Sequence, residues 1–164
     1  MGRDKATLVF GGVTLAAHAA SVLGAVASPC VEVGLGVSGL AAIREDPPGQ
    51  GPLAAIVAGT AVVGSTSPAL VVACDLPRLD ADLLRWLRDY RAEISVVPVW
   101  EKRPQPLCAR WSPSALTTAS ALVAAGTRSM QALLGATEVA LVSPPAELAA
   151  GLADVDTPAD LDAV

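Results

Sequence analysis

The chain has 164 residues, of which 52% are apolar but only 3% aromatic, and a formal net charge of −5 at pH 7. That length suits one domain over 1–164, with a core of Ala, Val and Leu whose small side chains favour helix-on-sheet packing over a sandwich. The acidic balance argues against nucleic acid and membrane surfaces as partners, since both require a broad basic footprint.

Ala6 to Phe10 reads as a short extended segment, and Gly11-Gly12 as a turn into a helix over about 14–27. Leu15, Ala19, Val22 and Val26 repeat on one face of that helix, while His18 falls off the stripe and reads as solvated. Arg3 and Lys5 ahead of an apolar stretch ending in Ala25-Val26-Ala27 resemble a signal peptide, but Asp4, the glycine pair and His18 interrupt the pattern. A cytoplasmic location is expected. Val31 to Leu35 and Ala41 to Arg44 read as strands, and the loop Pro47-Pro48-Gly49-Gln50-Gly51 feeds a helix with Gly51 as cap and Pro52 at its first position. A helix start of this kind aims unpaired N–H groups at an anionic or carbonyl ligand. No charge occurs from Gly51 to Cys74, yet Pro52, Gly59, Gly64 and Ser65-Thr66-Ser67-Pro68 divide the run into helix, turn and strand, so it does not read as a membrane span.

Ala69 to Cys74 has no polar alternation and reads as a central strand covered on both faces. Asp75 and Pro77 follow it, which puts a carboxylate just beyond the strand's carboxyl end, where open α/β sheets bind ligands. Asp80 caps a helix to about Tyr90, with Leu83, Trp86 and Leu87 facing inward, and Ile94 to Val99 is the next strand. Lys102-Arg103-Pro104-Gln105-Pro106 is a basic, proline-rich loop before an extended Leu107 to Trp111. Helices over about 114–124 and 129–134 and a strand over 138–142 follow, and Thr157-Pro158 starts a last helix. Alternating strands and helices are the α/β signature.

Cys30, Cys74 and Cys108 are odd in number without paired metal-ligand spacing, so they read as buried free thiols in a reducing compartment. The chain has two lysines against nine arginines, which singles out Lys5 and Lys102. Arg3, Lys5, Lys102, Arg103 and Arg110 would suit an anionic small substrate if they converged. Asp46, Asp75 and Asp156 fall at strand exits or loops on one edge, which is enough for magnesium held by one or two carboxylates together with substrate phosphates.

Five blocks carry a more specific signal: Met1-Gly-Arg-Asp-Lys-Ala6; Arg44-Glu-Asp46 leading to Gly51-Pro-Leu-Ala54; Cys74-Asp-Leu-Pro77 with Asp82-Leu83; Pro106-Leu-Cys-Ala109; and Asp154-Val-Asp-Thr-Pro-Ala-Asp-Leu161. Their types and order resemble the molybdenum cofactor guanylyltransferases along nearly the whole chain. The resemblance implies a three-layer αβα Rossmann-like nucleotidyltransferase fold with a mostly parallel central sheet. It also implies transfer of GMP from GTP to a molybdopterin-type cofactor, with magnesium required and pyrophosphate released. On that resemblance Lys5 and Asp75 are catalytic, and Lys5, Asp46, Gly51, Pro52, Leu53 and Asp75 bind nucleotide. Asp75 holds the metal, and Arg103, Pro106, Asp154 and Asp156 lie toward molybdopterin. A molybdoenzyme or its chaperone is the further partner it allows.

Two departures accompany the resemblance. The family opens with a strand and a glycine-rich phosphate loop ahead of the Met-Gly block, so this chain is expected to be N-terminally truncated relative to it, by a start site placed too far downstream or by shortening. Gly34 also stands where the family carries an Asn that helps bind nucleotide. These departures support a second reading, a non-catalytic relative that binds molybdopterin or a molybdoenzyme.

Overall fold

The computed structural model describes residues 5–155. Its first turn, Lys5–Thr7, is a 3-10 helix closed by Leu8 N–H donating to the Lys5 carbonyl (3.1 Å). β1 (Val9–Phe10) and β2 (Val13–Thr14) then form a two-residue-loop hairpin around Gly11-Gly12, where a single extended segment was expected. Thr14 caps α1 (Leu15–Gly24) by accepting from Ala17 N–H. Leu15 and Ala19 are buried as the stripe requires.

β3 (Val31–Val33) and β4 (Ala41–Ile43) pair in parallel. Between them Glu32 accepts from the N–H groups of Gly36, Val37 and Ser38 at 2.7–3.2 Å. Burial pushes its carboxyl up, but the Ser38 hydroxyl and these three N–H groups outweigh it and hold the pKa below its ordinary value. α2 runs Pro52–Val63, β5 is Ala69–Val72 and α3 is Ala81–Asp89, capped by Asp80 accepting from Leu83 N–H at 2.8 Å. β6 (Ser95–Trp100), β7 (Arg103–Pro104) and β8 (Cys108–Trp111) follow, with Glu101 and Lys102 at φ 48° and 65° making the tight turn between β6 and β7. α4 (Pro113–Ala124), α5 (Met130–Ala136), β9 (Val139–Val142) and a short α6 (Ala146–Ala149) complete the order. Thr157-Pro158 and the helix expected after it lie outside the described residues. Among the described residues no helix is long and apolar enough to cross a membrane.

The larger sheet departs from the mostly parallel expectation. β8 lies antiparallel between β5 and β6, β7 is antiparallel to β6, and β6 with β9 is its parallel pair. The connection explains this. Only residues 101–107 separate β6 from β8, and a parallel return needs a crossover of a dozen or more residues. Helices cover both faces of the sheet, as alternate residues of its middle strands show. Val96 and Cys108 pack with Ala19, Leu83, Leu84 and Leu87 from α1 and α3. Val97 and Ala109 pack with Leu53, Ile56, Leu116 and Leu133 from α2, α4 and α5. Each buried Val, Leu or Ile among them contributes about 1.5–3 kcal/mol of transfer free energy.

β5 also corrects the sequence reading. All four of its residues are only half-buried and it pairs with β8 alone, so in this structure it is an edge of its sheet rather than a strand flanked on both sides.

The cysteines differ among themselves. Cys108 is buried, as expected, and burial pushes its thiol up to about 12, whereas Cys30 and Cys74 are only half-buried. Burial thus keeps the Cys108 thiol protonated and shielded near pH 8. Brief alkylation of the native protein followed by peptide mass spectrometry is therefore expected to leave Cys108 unmodified until denaturant is added. Rapid native labelling of Cys108 would show that its strand opens readily.

Candidate active site at the carboxyl end of β5

Asp75 sits three residues past β5, at the start of a turn held from several sides. Ala73 N–H donates to the Leu107 carbonyl, Leu79 N–H donates to the Leu76 carbonyl, and the side chains of Leu76 and Leu79 are buried in the core. From behind, Val155 N–H donates to the Asp75 carbonyl at 3.0 Å. The 3-10 turn Ala150–Leu152 packs so closely on this segment that a Cβ on Gly151 would stand 3.0 Å from Leu83 Cδ2 and 3.3 Å from the Arg78 carbonyl. Any larger residue there would push the turn away. Asp75 is thus a partly exposed carboxylate on a rigid mount.

Lys5 meets it: Lys5 Nζ donates to Asp75 Oδ2 at 3.5 Å, with the side chains 35% and 27% exposed. At this exposure the pair is open to solvent and to ligand, and its contribution to stability is about 1 kcal/mol or less. Asp75 and Pro52 line one cavity of about 650 Å³, which Gly34 and Ala6 also line. The start of α2 therefore opens on the space in front of the carboxylate. Gly51, at φ 90°, ψ 174°, makes the sharp entry into that helix, a conformation that penalises any Cβ. Its side-chain-free cap leaves the first N–H groups of α2 without a capping side chain.

The other expected residues fall into three groups. Leu53 is fully buried in the core under α2, so it can offer a ligand only backbone. Asp46 is exposed on the loop between β4 and α2, beside the Asp46-Pro47 peptide, and no contact found among the described residues joins it to Asp75. Arg103 is exposed on β7, and the Pro106 carbonyl accepts from Trp111 Nε1 at 3.1 Å. Asp154 is exposed beside the Val155 that binds Asp75, and Asp156 lies outside the described residues.

Two expectations are overturned. Arg110 does not join a cationic surface: it is buried and its guanidinium donates to the carbonyls of Arg88 and Tyr90 (2.8 and 3.0 Å), Ala92, and Ile94 (3.3 Å). His18 is not simply solvated, since its Nε2 lies 2.9 Å from the Leu79 carbonyl and ties α1 to the turn that follows Asp75. Sequence reading also missed Arg128, which donates to Gln50 Oε1 at 3.1 Å and to the carbonyls of Val123 and Thr127. It braces the loop ahead of α2 from the far side, and only the tertiary approach of α4 reveals it.

As to a metal, no three His, Cys, Asp or Glu side chains converge among the described residues. A hard cation that takes most of its oxygens from water and substrate needs only one or two protein carboxylates, and Asp75 fits that donor set.

The MobA-like NTP transferase domain model matches residues 1–141. The chain belongs to the MobA-like NTP transferase family. Within this family it is similar to a Mycobacterium tuberculosis (strain H37Rv) protein named "Probable molybdenum cofactor guanylyltransferase", at 33% identity over 149 residues, covering 84% of this chain and 74% of that protein. A protein of the same name from Mycobacterium avium (strain 104) is 33% identical over 181 residues, covering 100% of this chain and 88% of that one. Among solved structures, molybdopterin-guanine dinucleotide biosynthesis protein A from Archaeoglobus fulgidus superposes with a TM-score of 0.74 at 20% identity, covering 99% and 89% of the two chains. The 2-C-methyl-D-erythritol 4-phosphate cytidylyltransferase of Thermus thermophilus gives 0.69 at 18% identity, covering 97% and 91%. These two likenesses show that the MobA-like chain has the nucleotidyltransferase-like α/β fold.

Proposed function

We propose that this nucleotidyltransferase-family chain transfers GMP from GTP to a molybdopterin-type cofactor, with magnesium required and pyrophosphate released. The observation that carries the reading is the Lys5–Asp75 pair past the carboxyl end of β5, with Asp75 lining the same cavity as Pro52 at the start of α2. The names of the mycobacterial relatives support the choice of a guanylyl group as the one transferred and of a molybdenum cofactor as its acceptor.

In this reaction the terminal phosphate oxygen of molybdopterin forms a bond to the α-phosphorus of GTP. The α–β bridging P–O bond breaks, and its electron pair leaves on pyrophosphate. Such a displacement asks chiefly for alignment and charge neutralisation, and requires no side-chain nucleophile. Lys5 offsets charge on the departing pyrophosphate, and the N–H groups at the start of α2 receive phosphate or guanine oxygens. Asp46 would contribute to nucleotide binding from its loop, and Arg103, Pro106 and Asp154 are assigned to the molybdopterin side, as is Asp156 on the resemblance alone, since it lies outside the described residues. Asp75 would hold magnesium, which when bound supplies charge stabilisation at the phosphates.

Incubation with GTP, magnesium and molybdopterin, followed by measurement of pyrophosphate, tests the proposal. Absence of release with a folded chain extended upstream of Met1 would sink it, and would leave the second reading, a non-catalytic binder of molybdopterin or a molybdoenzyme. Lys5→Arg is expected to lower kcat/KM for GTP by roughly tenfold or more, because a planar fork does not replace a compact point charge on phosphate. Unchanged kinetics would remove Lys5 from the site.

A further inference from the structure

Glu32 interrupts an apolar strand. Val31 and Val33 on either side of it lie against α2, where a Cβ on Gly59 would stand 3.1 Å from Val33 Cγ2 and 3.9 Å from Val31 Cγ2. By strand alternation the Glu32 side chain leaves β3 on the opposite face. Glutamate is disfavoured in strands, and neither the pairing of β3 with β4 nor the contact with α2 uses its carboxylate.

The loop that follows does use it. Residues 34–40 carry the chain from β3 to β4, and none of them is buried, with Leu35, Gly36, Val37 and Gly39 exposed. Apolar packing therefore does not hold this loop, and a segment so exposed would ordinarily open with ease. Instead, three successive N–H groups turn onto the Glu32 carboxylate. Gly36 and Val37 donate to Oε1 at 2.7 and 3.2 Å, and Ser38 donates to Oε2 at 2.8 Å. Both oxygens are engaged, and hydrogen bonds to an ionised acceptor are stronger than neutral ones. The convergence places Gly36 at φ 79°, where a Cβ would also stand 3.2 Å from Ala42 Cβ.

Gly34 accommodates the same contact. A Cβ there would lie 3.3 Å from Glu32 Oε1, closer than an ordinary van der Waals contact, and the backbone at Gly34 is outside the left-handed region. Glycine at 34 thus leaves room for the carboxylate and is not required by the path of the chain.

The loop is also part of the candidate site, because Gly34, Leu35 and Ser38 line the cavity that Asp75 and Pro52 line. We propose that Glu32 is a positioning residue for the nucleotide: its carboxylate fixes the 34–40 loop as a wall of that cavity, and Gly34 leaves the space it needs. The proposal rests on the nucleotidyltransferase reading above, since it concerns how the nucleotide of that reaction is held. Glu32 acts through the loop and takes no part in the phosphoryl step, so its loss weakens nucleotide binding and spares turnover.

Glu32→Val tests this, since valine is a strong strand former and carries no carboxylate. Amide exchange at Gly36, Val37 and Ser38 is expected to quicken by at least about tenfold, with Val71 and Ala109 unaffected. The KM for GTP is expected to rise by about tenfold while kcat stays within about twofold, a split that lost stability alone does not produce. Gly34→Ala is expected to reproduce both effects by itself and to add nothing to Glu32→Val, because the two changes remove one contact. Glu32→Gln keeps the shape without the charge and is expected to give an intermediate effect. It decides the matter by the same readouts if Glu32→Val does not fold. Faster exchange with an unchanged KM overturns the positioning role and leaves the nucleotide reading intact. Unchanged exchange overturns the hold of Glu32 on the loop. A further rise in KM when Gly34→Ala is added to Glu32→Val overturns the link between those two residues. A folded wild-type chain that neither binds GTP nor releases pyrophosphate overturns the reading beneath the proposal, and the proposal with it.

Discussion

Asp75→Ala is expected to lower pyrophosphate release by about a thousandfold while leaving the protein folded. The two halves of this expectation rest on different observations. The side chain is 27% exposed and its ion pair with Lys5 is open to solvent, so its loss should cost no more than about 1 kcal/mol and move the melting temperature by less than about 4 °C. The turn itself is held by the Asp75 carbonyl accepting from Val155, by buried Leu76 and by buried Leu79, none of which the substitution removes. Under the proposed reaction, chemistry in contrast loses the carboxylate that would hold magnesium. Calorimetry and the pyrophosphate assay on the same sample separate the outcomes. A collapse in melting temperature would make Asp75 structural, and retained turnover would move the metal elsewhere.

Asp75 was legible because local chemistry determines its surroundings. An apolar run, a carboxylate and a proline place a strand end within a residue or two in any α/β protein, and the structure ends β5 at Val72 with the turn following directly. The Asp80 cap was legible for the same reason, and the caps at Thr14, Ser112 and Ser129, which the sequence reading passed over, rest on an equally local signal. Thr14, Asp80, Ser112 and Ser129 each accept from an N–H three residues on, a contact that needs nothing beyond the segment itself.

What sequence periodicity could not provide was pairing. The run Ala69 to Cys74 is as apolar as a strand covered on both faces, and β5 does pack on both, through Leu70 and Val72 on one and Ala69 and Val71 on the other, but apolarity does not say how many strands flank it, and β5 pairs with β8 alone. The sense of β8 was hidden in the length of its connection to β6, not in its own residues. Arg128 and Gln50 meet across 78 positions of sequence, and His18 meets Leu79 across 61. No local pattern marks such contacts.

Arg110→Met is expected to be the most destabilising single change considered, at about 3–5 kcal/mol, and to leave the affinity of the folded fraction for GTP unchanged. Arg110 extends from β8, and its terminal N–H groups serve four different carbonyls between Arg88 and Ile94, where the chain leaves α3 and turns into β6. Burial pushes its pKa down and Asp89 opposes that shift, but the guanidinium keeps its charge and so strengthens every one of these bonds. Methionine fills similar space but donates nothing, which leaves part of the α3–β6 connection with unpaired carbonyls. Lysine should not rescue the loss, since a single ammonium has three donors and cannot span the four acceptors that a planar fork reaches. For a 164-residue chain the melting temperature should fall by roughly 10 °C. The opposite pattern, an unchanged melting temperature with a raised KM for GTP, would return Arg110 to the role of an anion-binding residue that its charge alone suggests.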